Sequence, residues 1–236
     1  MNSTKDIMHT EWHFSTPIYS IGKSEWLPKI KKATDKFIKK AYKHDKPLLE
    51  KRKKPFDKNE SEKIKDFGWS YHTESLIDVK ELKELKDYVV STSYNLLDEW
   101  GYNMRDYSVF MTEMWAQEFS KNGGGHHETH IHWNNHISGF YFLECSEKTS
   151  YPVFHDPRPG AMMTKLPMKN VDDVLNFSDE IKYNIEPGTL IFFPAYLGHQ
   201  FVVDPGINNF KFIHFNAQAI NNQIINQLVF EKKENE

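Results

Sequence analysis

Between Ser24 and Tyr42 the apolar residues Trp26, Leu27, Ile30, Ala33, Phe37, Ile38, Ala41 and Tyr42 recur every three or four positions. That spacing predicts an amphipathic helix with one buried face. Ser24 is placed to cap it, and Pro28 falls in the first turn, where a missing amide hydrogen is tolerated. Its lysine-rich opposite side reads as a solvated face. The pattern is lost over residues 43–66, which are charged and interrupted by Pro47 and Pro55, so a loop is expected there. Trp69, Tyr71 and His72 lead a short strand. A second helix is then predicted from Asp78, its cap, through Leu82, Leu85, Val89, Leu96, Leu97 and Trp100 to Gly101.

From Tyr107 the period shortens towards two. Ser108–Phe119 reads as one or two strands, Phe140–Glu144 and Pro152–His155 as one each, and Phe210–Asn216 as the last. Residues 187–199 read as a turn, a buried strand and a second turn that presents His199 where the next strand starts. Phe14–Ile21 is β-prone, and Pro17 suits it to a sheet edge. Helices followed by a run of strands predict an α+β fold, the helices packed on one face of a β-sandwich or barrel. We expect one domain over residues 1–236: a helical part (1–106, with the polar loop near 43–66), a strand core (107–218) and a tail (219–236). The first ten residues read as a loose extension. Alternation fades over residues 161–180, which we expect to form a lid over the barrel mouth.

Net charge is −3 and the pI is near 6.5, so bulk electrostatics favours neither nucleic acid nor a membrane surface. The basic run Lys51-Arg52-Lys53-Lys54 lacks the interleaved aromatics of a nucleic-acid contact. No apolar run approaches a membrane span, and the start MNSTKDIMHTEWHF lacks the apolar core of a signal peptide. Cys145 is the single cysteine, which fits a reducing cytoplasm. The sequence leaves the oligomeric state open.

Chemistry concentrates between Lys121 and Glu144, which hold five of the twelve histidines behind Gly123-Gly124-Gly125. On a strand, residues two apart share a face, so His130 and His132 can close on one ion while Ile131 turns into the hydrophobic layer. His199 is the expected third ligand. Three imidazoles would leave a metal with open positions, and neutral imidazole suits Fe(II), Zn(II), Cu(II) or Ni(II) alike. A competing pair, His126-x-Glu128, ranks second because it directly follows the glycines and lies farther from the Phe140–Leu143 strand.

At these residues the chain resembles the Fe(II)/2-oxoglutarate-dependent oxygenases, and more narrowly those carried by tailed phages of marine bacteria. The resemblance rests on Met114–Phe119, the Gly-Gly-Gly-His-His run, His130-x-His132, Ser138–Leu143, Phe154-His155-Asp156-Pro157-Arg158, Pro187–Pro194, His199 and Phe210–Asn216, and covers about residues 10 to 218. It implies a double-stranded β-helix (a jelly-roll, cupin-like barrel) and a hydroxylase that uses Fe(II), 2-oxoglutarate and O2. It also implies a peptide or protein substrate with proline the first choice. The wider family pairs its first histidine with a carboxylate; here His132 stands in that place. A dicarboxylate cosubstrate needs a buried cation. The family pattern points to Lys211 for that role, with Arg158 the runner-up and Tyr141 a possible hydroxyl partner. His214 and Asn216 share a strand face and could line the pocket. Two other readings stay open: a thiol dioxygenase-like three-histidine iron enzyme, and a non-enzymatic cupin-like binding protein.

Overall fold

The computed structural model describes residues 9–122, 124–159, 166–170 and 173–227. Among the described residues ten strands fall into two wholly antiparallel sheets. The larger has the order β1 (Tyr19–Gly22), β8 (Thr189–Pro194), β5 (Ile137–Glu144), β10 (Lys211–Asn221), β3 (Tyr107–Phe119), β2 (Ser70–His72). The smaller is β4 (His127–His130), β9 (His199–Phe201), β6 (Pro152–His155), β7 (Glu180–Lys182). The helices described in full are α1 (Leu27–Lys53), α2 (Lys58–Ile64) and α3 (Lys83–Glu99), and residues 222–227 are helical after β10. None of the described helices is long and apolar enough to cross a membrane.

The large sheet is buried on both faces, and its side chains sort by parity. Ile137, Tyr141 and Leu143 of β5, Leu190 and Phe192 of β8, and Ile213 and Phe215 of β10 join α1 and α3 in one core. Phe140 and Phe142, Ile191 and Phe193, and Phe210 and Phe212 turn the other way and meet Phe154 and Phe201 of the small sheet. The second core is largely phenylalanine, so the space between the sheets is filled rather than open. Close approach of the strands relies on Gly139. A Cβ there would lie 2.2 Å from the Ile191 carbonyl and 2.3 Å from the Phe215 ring. We expect Gly139→Ala to lower unfolding free energy by roughly 1–3 kcal/mol, checked by urea denaturation; an unchanged midpoint would remove this account of the sheet.

Several boundaries differ from the sequence reading. The expected loop at 43–66 is helical over most of its length, since α1 continues through Pro47 to Lys53 and α2 follows. Leu48 to Lys53 are all straight-chain or γ-branched residues of high helix propensity, and these carry the exposed turns beyond the buried half of α1. Lys53 then anchors the end, its Nζ 2.5 Å from Asp66. Asp57 starts α2 with a capping box closed by Glu60. Neither Ser24 nor Asp78 caps a helix by its side chain, because a short 3-10 turn precedes both α1 and α3. Gly101, at φ +89°, does end α3. Strand β10 runs on to Asn221, so residues 219–221 are sheet rather than tail. Residues 1–8, Gly123 and residues 160–165 and 171–172, within the expected extension, turn and lid, lie outside the described residues.

Candidate metal centre

Strand β4 ends at His130, and His132 follows beyond it, its amide donating to the Ala195 carbonyl at 2.9 Å. Pairing of β4 with β9 sets His130 opposite His199. These placements bring the three histidines together: one nitrogen from each of His130, His132 and His199 lies within 4.8 Å of the others. The tautomers suit ligation. His130 Nδ1 faces the Glu128 carbonyl at 2.7 Å and His199 Nδ1 the Leu197 carbonyl at 2.9 Å, so each Nδ1–H is held and each lone pair falls on Nε2; that of His199 lies 3.3 Å from His132 Nε2. Ile131, expected to be buried, is 40 % exposed, and Trp133 projects into solvent.

His199 is wholly buried among Phe140, Phe154 and Phe193. Burial first, then the neighbouring imidazoles against the Leu197 hydrogen bond, push its pKa down to about 2. Burial, followed by His214 and His130, brings His132 down to about 3. Both therefore stay neutral near pH 7, the form that binds a metal. Such a donor set fits Fe(II). Glu128, of the competing register, is exposed and enters neither potential metal cluster among the described residues.

The cosubstrate residues are placed otherwise than expected. Lys211 lies on the helix-facing side of β10, three residues and one change of face from His214. Its Nζ is engaged by Glu118 at 2.8 Å, Asp35 at 3.3 Å and Glu144 at 3.7 Å. Burial opposes the charge of Lys211, but Glu118 and then Glu144 and Asp35 outweigh it and keep the pKa above its ordinary value. Tyr141 faces the same side and donates to the Lys23 carbonyl at 2.8 Å. Both are structural here: β10 and β5 are buried on both faces, so an apolar flank does not mark the inner one. Arg158 pairs with Asp156 through Nε at 2.9 Å and Nη2 at 2.6 Å, and Nη2 also donates to the Asn176 carbonyl at 3.1 Å. This turn borders a cleft of about 380 Å³ lined by Trp12, Phe14, Phe154, His155, Arg158, Leu175 and Leu197. The cleft adjoins the histidines through Phe154 and Leu197, and described residues of the expected lid, Val174 to Asn176 and Ser178, form part of its wall.

A second layer surrounds the triad. His132 stacks on His214, with ring centroids 4.5 Å apart, and His214 on Trp115 at 4.6 Å; His72 lies 4.0 Å beyond Trp115. His127 sits 5.7 Å from His130, and burial followed by nearby histidines pushes its pKa down to about 3. Ser138 Oγ, Asn216 Oδ1 and His214 Nε2 are buried without a hydrogen-bond partner, which marks the inner wall as built for something polar. Of these residues, only His214 and Asn216 could be named from strand parity. Ser138, His72 and His127 needed the pairing of distant strands.

Residues 113–207 match a family model described as "Putative 2OG-Fe(II) oxygenase". No curated protein gives a significant sequence match. Among solved structures, AviO1 from Streptomyces viridochromogenes Tue57 is similar at 10 % identity over 86 % of this chain and 90 % of that one, with a TM-score of 0.52. A Pseudomonas putida prolyl-4-hydroxylase is similar at 6 % identity over 86 % and 88 %, TM-score 0.49. The viral collagen prolyl hydroxylase of Paramecium Bursaria Chlorella virus-1 is similar at 11 % over 93 % and 100 %, TM-score 0.44. The AviO1 likeness speaks for the fold alone. The sequence match is to a family described by its use of 2-oxoglutarate and Fe(II), and it extends over residues 113–207 of this chain.

Proposed function

We propose that this chain, a 2OG-Fe(II) oxygenase through its residues 113–207, hydroxylates a C–H bond on a peptide or protein side chain, with proline the first to test. The observation that carries this reading is the trio of imidazoles, His130, His132 and His199, whose donor nitrogens converge within 4.8 Å beside a cleft with apolar walls. In this reading the two antiparallel sheets closed on a phenylalanine core are the double-stranded β-helix, and the three histidines hold Fe(II). Bound Fe(II), with 2-oxoglutarate and O2, supplies the oxidising power, releasing succinate and CO2.

The chain's own residues orient and dry the site. The Glu128 and Leu197 carbonyls fix two ligand rings, and Phe140, Phe154 and Phe193 exclude water from behind His199. Arg158 lines the cleft, as Lys211 and Tyr141 do not, and stays the candidate partner for the far carboxylate of 2-oxoglutarate. Exposed Trp12, Phe14, Val174 and Leu175 give the cleft an apolar rim suited to an extended peptide. A cytoplasmic setting fits the free Cys145.

The expected result is succinate formation by the Fe(II)-loaded protein from 2-oxoglutarate, accelerated by proline-containing peptides. O2 uptake with cysteine and no succinate would select the three-histidine thiol dioxygenase reading. No turnover with a fully loaded metal would select a binding protein.

A further inference from the structure

We propose a second divalent-cation position beside the first, formed by Glu113, His132 and His214 and alternative to the three-histidine one. It rests on the reading of the centre above, with which it shares His132. One ligand atom from each of the three residues lies within 4.8 Å of the others.

Three observations point to a cation there. His214 is 1 % exposed and its Nε2 has no hydrogen-bond partner, yet it lies 3.7 Å from a Glu113 carboxylate oxygen. That gap is too long for a hydrogen bond and suits two ligands of one metal. The Glu113 carboxylate accepts from Asn216 Nδ2 at 2.8 Å, so its position beside His214 is held by a residue of the strand that carries His214. The third observation is the amide that faces His132. Where His130 and His199 turn Nδ1 to a carbonyl, His132 turns it to Asn216 Nδ2 at 3.1 Å, an amide that donates to Glu113 at 2.8 Å. A donor facing Nδ1 leaves the lone pair on Nδ1 and the proton on Nε2, which is shared with His199 Nε2 at 3.3 Å.

His132 therefore offers its lone pair on the Glu113 side in this arrangement, and on the His199 side only after the proton moves to Nδ1. One neutral imidazole serves one ion at a time, so the two positions exclude each other. The second has the two-histidine, one-carboxylate composition that the His130-x-His132 pair lacks, with the carboxylate supplied by β3. A metal with a stronger preference for oxygen, such as Mn(II), is the ion to find there.

The test measures Mn(II) binding to the apoprotein by equilibrium dialysis and by loss of the free-ion EPR signal. It compares wild type, H130A, E113Q and H130A/E113Q. His130 is half-buried and Glu113 exposed, so neither change opens the core. We expect H130A to bind one equivalent of Mn(II) still, and the added E113Q to weaken that binding by about tenfold or more, with circular dichroism and Tm unchanged. Loss of binding in H130A, or equal affinity in H130A and H130A/E113Q, overturns the second position. Loss on E113Q alone with none on H130A would instead overturn the three-histidine centre and leave this inference standing.

Discussion

Replacing His199 by alanine is expected to weaken Fe(II) binding by about 100-fold or more, beyond the range typical of outer-sphere partners, and to abolish succinate formation. The ring is held on every side: β9 sets it opposite His130, the Leu197 carbonyl fixes its Nδ1, and phenylalanines enclose the rest. Nothing in that wall can replace the lost nitrogen. Because the residue is wholly buried, the same change opens a cavity and lowers stability by roughly 2–5 kcal/mol, the range for large-to-small core substitutions. His130→Ala separates the two effects, since His130 is half-buried and its loss leaves the core intact. Iron titration and a urea melt on both variants check the prediction. Full iron affinity in both, with folding retained, would remove these histidines from the metal centre.

Lys211→Met is expected to damage the fold and spare the cosubstrate. Its ammonium is buried against Glu118, itself nearly inaccessible, with Asp35 and Glu144 alongside. Tyr42 also donates to Glu118, so the pair fastens α1 to the sheet. Removing one partner strands the other charge in a low-dielectric setting, a loss of about 3–5 kcal/mol. The KM for 2-oxoglutarate should stay within about twofold, because the lysine does not share a face with the histidines and makes no uniform binding contact with the cosubstrate. Urea unfolding and steady-state succinate kinetics read the two effects separately. A large rise in KM at unchanged stability would restore Lys211 to the cosubstrate.

The contrast between Lys211 and His199 shows where sequence reading was sufficient. The segment Pro187–His199 combines turn residues, an apolar run and a histidine, and these local signals located β8 and the start of β9. Strand β6 fell where the pattern placed it, at Pro152–His155. At 43–66 the prolines and charges suggested a loop, yet helix propensity prevailed on a surface that demands no apolar face.

The pattern along the chain, by itself, determined that the protein combines helices with a strand core, and the spacing of its histidines led to the expectation that His130 and His132 meet His199, some seventy residues later. It could not say which face of β10 looks inward, because burial of both faces erases the polar mark that ordinarily distinguishes them. Only the pairing of β10 with β3 and β5 decided that His214 and Asn216 lie beside the histidine cluster while Lys211 meets the helices. Glu113 shows the same limit: its chemistry follows from its register opposite Asn216, a relation between strands over a hundred residues apart.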